Sequence, residues 1–115
     1  MTWIVTFHPA FDAEFEAYDE AVQNAVLAHL CLLEGVGPSL GRPHVDTLNG
    51  SKHANMKELR FKADGGVWRV AFAFDPTRQA VVLVGGDKSG GSEARFYKSL
   101  IKKADDRYDS YISDL

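Results

Sequence analysis

Met56-Lys57-Glu58-Leu59-Arg60-Phe61-Lys62-Ala63-Asp64-Gly65-Gly66-Val67-Trp68-Arg69-Val70-Ala71-Phe72-Ala73-Phe74 is the stretch whose reading decides the fold. Successive strand side chains alternate, so Leu59 and Phe61 share one face of a strand over 56–62 while Glu58 and Arg60 share the other. Trp68, Val70, Phe72 and Phe74 alternate with Val67, Arg69, Ala71 and Ala73, which predicts a second strand over 67–74. Ala63-Asp64-Gly65-Gly66 between them has turn chemistry. A third strand follows over 80–85 after the turn Asp75-Pro76-Thr77-Arg78-Gln79, and connections this short make an antiparallel meander. With Lys62 opposite Val67, Arg60 lies directly across from Arg69, and a slip by two keeps both on one face. Like charges opposed across strands are unfavourable. The pair therefore needs an offset: Glu58, Asp87, or a bound anion. Small Ala71 and Ala73 beside Arg69 predict a shallow, open face suited to a phosphate backbone.

Upstream, Trp3, Val5 and Phe7 alternate over residues 3–7 and predict a strand. Pro9 suits the first turn of a helix. Phe11, Phe15, Tyr18, Val22, Ala25, Val26, His29, Leu30 and Leu33 then recur at helical spacing, with a break near Tyr18 that would make a helical hairpin. Cys31 reads as a small packing residue of this helix, and His29 as a core or boundary histidine. The helix stops at Gly35-Val36-Gly37-Pro38. Residues 35–55, rich in Gly, Pro, Ser, Asn and His, read as one long loop. Downstream, residues 85–91 read as a glycine-rich loop and Ser92 as the N-cap of a last helix. That helix carries Tyr97, Leu100, Ile101, Ala104, Tyr108, Tyr111, Ile112 and Leu115 on one stripe. The expectation is one α+β domain over 1–115: a small, mostly antiparallel sheet packed against an N-terminal helix or helical hairpin and a C-terminal helix.

Composition narrows the function classes. Hydrophobic content of 45% and charged content of 25% are ordinary for a globular chain. No signal-peptide pattern or bilayer-spanning apolar run is visible, and the lone Cys31 cannot form an internal disulfide, so a cytoplasmic setting without membrane contact is expected. The net charge is −3, yet its distribution is uneven. Residues 1–34 hold six acids and no lysine or arginine, residues 35–104 hold twelve Lys/Arg against six Asp/Glu, and residues 105–115 hold four aspartates and one arginine. A basic middle between acidic ends is compatible with a polyanion site on one face and with a salt-bridged surface.

Candidate chemistry gathers around the meander. Arg60 and Arg69 are the expected phosphate-binding pair, and Lys88 follows the last strand. Lys52, His53 and Lys57 lie at or just before the first strand of the meander. Lys52, Lys57, Arg60, Arg69 and Lys88 are therefore the candidate RNA-binding set. His53, with His44 in the same loop, belongs to the residue type that titrates near neutrality, as general acid–base chemistry needs. Dinucleotide, HExxH, paired-cysteine and nucleophile-elbow patterns are missing, and the four histidines lack metal-ligand spacing, so neither cofactor nor metal is expected. RNA permits metal-free cleavage. Its 2′-hydroxyl can attack the adjacent phosphate while a base takes the proton, cations stabilise the phosphorane, and an acid protonates the leaving 5′-oxygen.

Met56-Lys57-Glu58-Leu59-Arg60-Phe61, then Trp68-Arg69-Val70, then a hydrophobic strand and Asp87-Lys88, resembles the HigB-like, phage-derived branch of the RelE/ParE toxins. The resemblance extends over nearly the whole chain, including Lys103-Ala104-Asp105 of the last helix. It implies a compact sheet packed on helices and a toxin of a type II toxin–antitoxin system. It further implies metal-independent endoribonuclease action on mRNA in the ribosome, and neutralisation by a helix-turn-helix antitoxin without which no direct DNA binding is expected. By the same resemblance Arg60 and Arg69 correspond to phosphate-binding positions, and Lys88 to the first basic residue after the final strand. Many relatives carry two basic residues there; this chain has Lys88 followed by Ser89. Two alternatives stay open: a ParE-like toxin that inhibits gyrase without a nuclease site, and a degenerate antitoxin-binding module.

Overall fold

The computed structural model describes residues 2–115, and in it the quoted segment is a hairpin of β3 (Met56–Ala63) and β4 (Gly66–Phe74). The register is the expected one, with Lys62 opposite Val67 and Arg60 opposite Arg69. The turn is tighter than four residues. Asp64 and Gly65 alone link the strands, both at positive φ (50° and 76°), the Asp-Gly conformation that matches strand twist in two-residue hairpins. β5 (Gln79–Asp87) completes the meander and β1 (Ile4–Phe7) joins β5 in parallel.

Residues 35–55 are not wholly loop. A 3₁₀ turn at Gly37–Ser39 and a three-residue strand, β2 (Val45–Thr47), interrupt them, and β2 pairs antiparallel with β3. The resulting sheet has the order β1-β5-β4-β3-β2. The long apolar stripe of the N-terminal half is indeed a helical hairpin, α1 (Pro9–Glu16) and α2 (Glu20–Val36). α3 (Glu93–Ser113) closes the chain, with the Ser92 side chain accepting from the Arg95 amide as N-cap. Leu115 lies past the helix and is exposed, so it leaves the predicted stripe.

Two cores sandwich the sheet. On one face Leu59, Phe61, Val70, Phe72 and Val82 pack against Phe11, Val26, Leu30 and Leu33 of the hairpin. On the other, Met56, Ala71, Ala73, Val81 and Leu83 pack against Leu100, Ala104 and Tyr108 of α3. The face expected to be shallow and open is therefore covered. Ala71 and Ala73 are fully buried because small side chains there let a helix approach the sheet. β5 runs two residues further than expected. A Cβ on Gly85 would lie 2.9 Å from the Tyr18 hydroxyl, and one on Gly86 2.9 Å from the Phe96 ring, so these glycines admit helices from both sides. His29 is the boundary residue expected: its Nδ1 lies 2.8 Å from the Ala25 carbonyl and its ring stacks on Phe61. Cys31 is exposed, contrary to the packing role. The buried face of α2 runs through Val22, Val26, Leu30 and Leu33, and Cys31 sits about 100° around the helix from Leu30.

Candidate active site

Three elements build one ionic cluster under the N-terminal half of α3. β3 and β4 set Arg60 and Arg69 side by side, and Glu58, two residues along β3, shares their face. Arg60 donates through one terminal guanidinium nitrogen to Glu58 Oε2 at 2.8 Å. Tyr97 of α3 donates its hydroxyl to Glu58 Oε1 at 2.9 Å and accepts from Arg69 Nε at 3.2 Å. Arg69 also donates to the Trp68 carbonyl at 2.9 Å, and its Nε stands 3.9 Å from Glu58 Oε1. Side-chain exposure is 5% for Glu58, 8% for Arg69 and 22% for Arg60. The cluster is thus a buried carboxylate between two guanidiniums, with Arg60 as the outward member. The repulsion foreseen between the opposed arginines is offset by Glu58.

Burial, and then the hydrogen bond to Glu58, push the Tyr97 hydroxyl above its usual pKa. It is therefore a proton donor at neutral pH rather than a base. Lys88 sits at the edge of the cluster. Its amide donates to the Val67 carbonyl at 2.7 Å and its ammonium to Glu93 at 2.8 Å. Lys88 holds the Glu93 carboxyl below the usual range, with smaller contributions from Arg69 and Arg60, so all three cations act on this one carboxylate. A cleft of about 220 Å³ opens over Glu58, Arg60 and Tyr97, rimmed by Arg42, Asp46 and Asn49.

The other candidates lie elsewhere. His53 bonds Asp109 at 2.8 Å, Lys52 pairs with the same carboxylate, and the His53 ring packs edge-on to Tyr108. Asp109 is twelve residues beyond Tyr97 along α3, about 18 Å at 1.5 Å per residue. The structure therefore brings Arg60, Arg69 and Lys88 together and leaves His53 and Lys52 at the far end of the helix, where they tie the 48–55 segment to α3. Lys57 alternates onto the opposite sheet face, beside Phe72 and Thr47. Helical spacing alone makes Tyr97 part of the packing stripe and leaves its role in the cluster unseen. The available signal was its hydroxyl, since a phenol within an apolar stripe needs a polar partner when buried. Among the described residues no group of three or more His, Cys, Asp or Glu is placed to hold a metal ion.

Known proteins share this arrangement of elements. The family profile described as "Phage derived protein Gp49-like" matches residues 13–109. The chain belongs to the Gp49-like, HigB-type toxin family. This Gp49-like chain is 43% identical over 105 residues to HigB3 of Mycobacterium tuberculosis, a protein named as a toxin, covering 91% of this chain and 90% of HigB3. It is also 43% identical over 96 residues to HigB2 of the same organism, covering 83% of this chain but 47% of HigB2, and so spans about half of that relative. Among solved structures, an arginine-to-alanine double mutant of free Escherichia coli toxin RelE superposes with a TM-score of 0.65 at 13% identity, covering 90% of this chain and 97% of RelE. The archaeal RelE–RelB complex of Pyrococcus horikoshii contributes a chain with a TM-score of 0.56 at 17% identity, covering 79% of this chain and all of that one. At such identities the structural likeness establishes the RelE-like fold of the Gp49-like chain.

Proposed function

We propose that this Gp49-like chain is the toxin of a type II toxin–antitoxin pair and a metal-independent endoribonuclease that cuts mRNA on the ribosome. The observation that carries this reading is the Glu58–Arg60–Arg69–Tyr97 cluster, in which a carboxylate, a guanidinium and a phenol line one cleft and Arg69 lies buried directly behind them. A scissile phosphate takes the place of the carboxylate against Arg60 and Arg69, whose donors then stabilise the charge that grows on the phosphorane oxygens. Glu58, released from Arg60, accepts the 2′-hydroxyl proton as the oxygen attacks phosphorus. The bond from phosphorus to the 5′-oxygen breaks, and Tyr97 supplies the proton that oxygen needs. The hydrogen bond between Glu58 and Tyr97 then carries the proton from the protonated Glu58 back to the Tyr97 phenolate, leaving a 2′,3′-cyclic phosphate and a 5′-hydroxyl. Lys88 adds positive charge at the rim, and His53 has no part in the step.

The partner of this toxin is its cognate antitoxin, as RelB is of RelE in the archaeal complex; the helix-turn-helix character of that antitoxin follows from the resemblance in sequence. Pulse labelling after induction tests the target. Incorporation of amino acids stops well before that of thymidine if mRNA is cut. Early arrest of DNA synthesis with translation intact points to gyrase inhibition instead, and unaffected growth to a degenerate module.

A further inference from the structure

The two helical layers carry opposite charge. α1 and α2, with the three residues that join them, hold Asp12, Glu14, Glu16, Asp19, Glu20 and Glu34 and no lysine or arginine. Among the described residues only Glu14 of these has an ion-pair partner, Arg107. That side of the molecule repels a polyanion. The first half of α3 is the reverse: residues 93–103 hold Arg95, Lys98, Lys102 and Lys103 against Glu93 alone, and Glu93 is engaged by Lys88.

Arg95, Lys98 and Lys102 follow the i, i+3, i+7 spacing that puts side chains on one helical face. At about 100° per residue they fall within an arc of roughly 60°, opposite the Tyr97–Leu100–Ala104–Tyr108 stripe that packs on the sheet. All three are exposed, and Arg95 and Lys98 have no ion-pair partner among the described residues. Lys102 meets Asp106 at 3.0 Å with side chains 77% and 63% exposed, a pair too solvated to hold the lysine against a better anion. An ordinary solvated helix face alternates signs to support itself at i, i+4; between Arg95 and Lys102 this one presents a row of one sign, and Asp106 follows only at its end.

We propose that Arg95, Lys98 and Lys102 form a docking ridge for the sugar–phosphate backbone of folded ribosomal RNA, separate from the cleft that holds the scissile phosphate. This rests on the reading of the chain as a toxin acting on the ribosome, and it assigns the surface that meets the ribosome. The ridge spans about 10 Å along the helix, enough for two or three phosphates. Because the hairpin is acidic, the ridge also fixes orientation: α3 faces the RNA and α1–α2 face away.

Binding of the full chain to vacant ribosomes, titrated from 50 to 200 mM potassium chloride, tests the assignment. Three phosphate contacts at a slope of about 0.9 each make the wild type lose roughly 40-fold more affinity over that range than the Arg95→Ala/Lys98→Ala/Lys102→Ala variant. The same variant keeps the wild-type melting temperature and arrests growth less strongly. The Arg95→Lys/Lys98→Arg/Lys102→Arg variant retains the wild-type salt dependence. A triple alanine variant whose salt dependence and potency match the wild type overturns the ridge while leaving the nuclease reading intact. A wild type that does not bind ribosomes at all overturns both.

Discussion

Replacing Glu58 with glutamine probes the centre of the cluster. The substitution keeps the volume and one acceptor oxygen but removes the only negative charge between two opposed guanidiniums. Glu58 is 4% exposed and Arg69 6%. Removing one partner of a buried pair costs about 3–5 kcal/mol because the remaining charge is left uncompensated. Arg60, at 22% side-chain exposure, can turn toward the cleft and recover hydration, so the cost falls to about 2–3 kcal/mol. For a chain of this size that lowers the melting temperature by roughly 8–12 °C. An anion should reverse the loss. Inorganic phosphate binds from the cleft against the guanidiniums left without a counter-charge, in the native state only, and at a hundred times its dissociation constant it adds about 2.7 kcal/mol. The wild type gains less, because phosphate must first displace the carboxylate. The assay is thermal unfolding of both proteins in phosphate and in chloride at matched ionic strength. A Glu58→Gln variant within about 0.5 kcal/mol of wild type, or equal stabilisation of both by phosphate, would refute the reasoning.

Three further outcomes are expected. His53→Ala loses the bond to Asp109 and should cost about 1–2 kcal/mol of stability while leaving growth arrest within about threefold of wild type; abolished arrest in a folded variant would return His53 to the mechanism. Gly86→Ala drives a methyl to 2.9 Å from the Phe96 ring; overpacking of this kind costs about 1–3 kcal/mol, and because it lifts the start of α3 it should weaken cleavage as well, both read from one preparation. Asp75 is buried, which works to raise its pKa, but donors from Tyr111, Gln79 and Thr77 outweigh that and hold it below the usual carboxylate range. A depressed folded pKa contributes stability above the unfolded value, about 3.9, and loses it as pH falls through the folded one. Asp75→Asn should therefore cost about 2 kcal/mol at pH 7 and converge with wild type below pH 4 in urea titrations.

Local rules carried the meander and the hairpin far. Alternation and turn residues placed Arg60 against Arg69, and the helical stripe broke near Tyr18 as expected. What escaped was tertiary. β2 is three residues in a Gly- and Pro-rich stretch, too short for a period to register, and exists because β3 offers it an edge. Ala71 and Ala73 read as an empty surface when they are the seat of α3. Proximity in the chain groups Lys57 with Arg60, although the same alternation that pairs Glu58 with Arg60 sends Lys57 to the other face. His53 could not be separated from the arginines without knowing where α3 runs, since Asp109 is 56 residues away. Tyr97 needed the same knowledge, because its partners Glu58 and Arg69 lie on other elements.

Cleavage of a defined mRNA on programmed ribosomes by the purified chain tests the central claim most directly. The account predicts fragments ending in 2′,3′-cyclic phosphate and 5′-hydroxyl with wild type. Arg60→Ala and Tyr97→Phe, both folded, should slow their formation by a hundredfold or more, in line with the loss of a transition-state donor or a general acid. Intact mRNA with wild type, or undiminished cleavage by both variants, would contradict it.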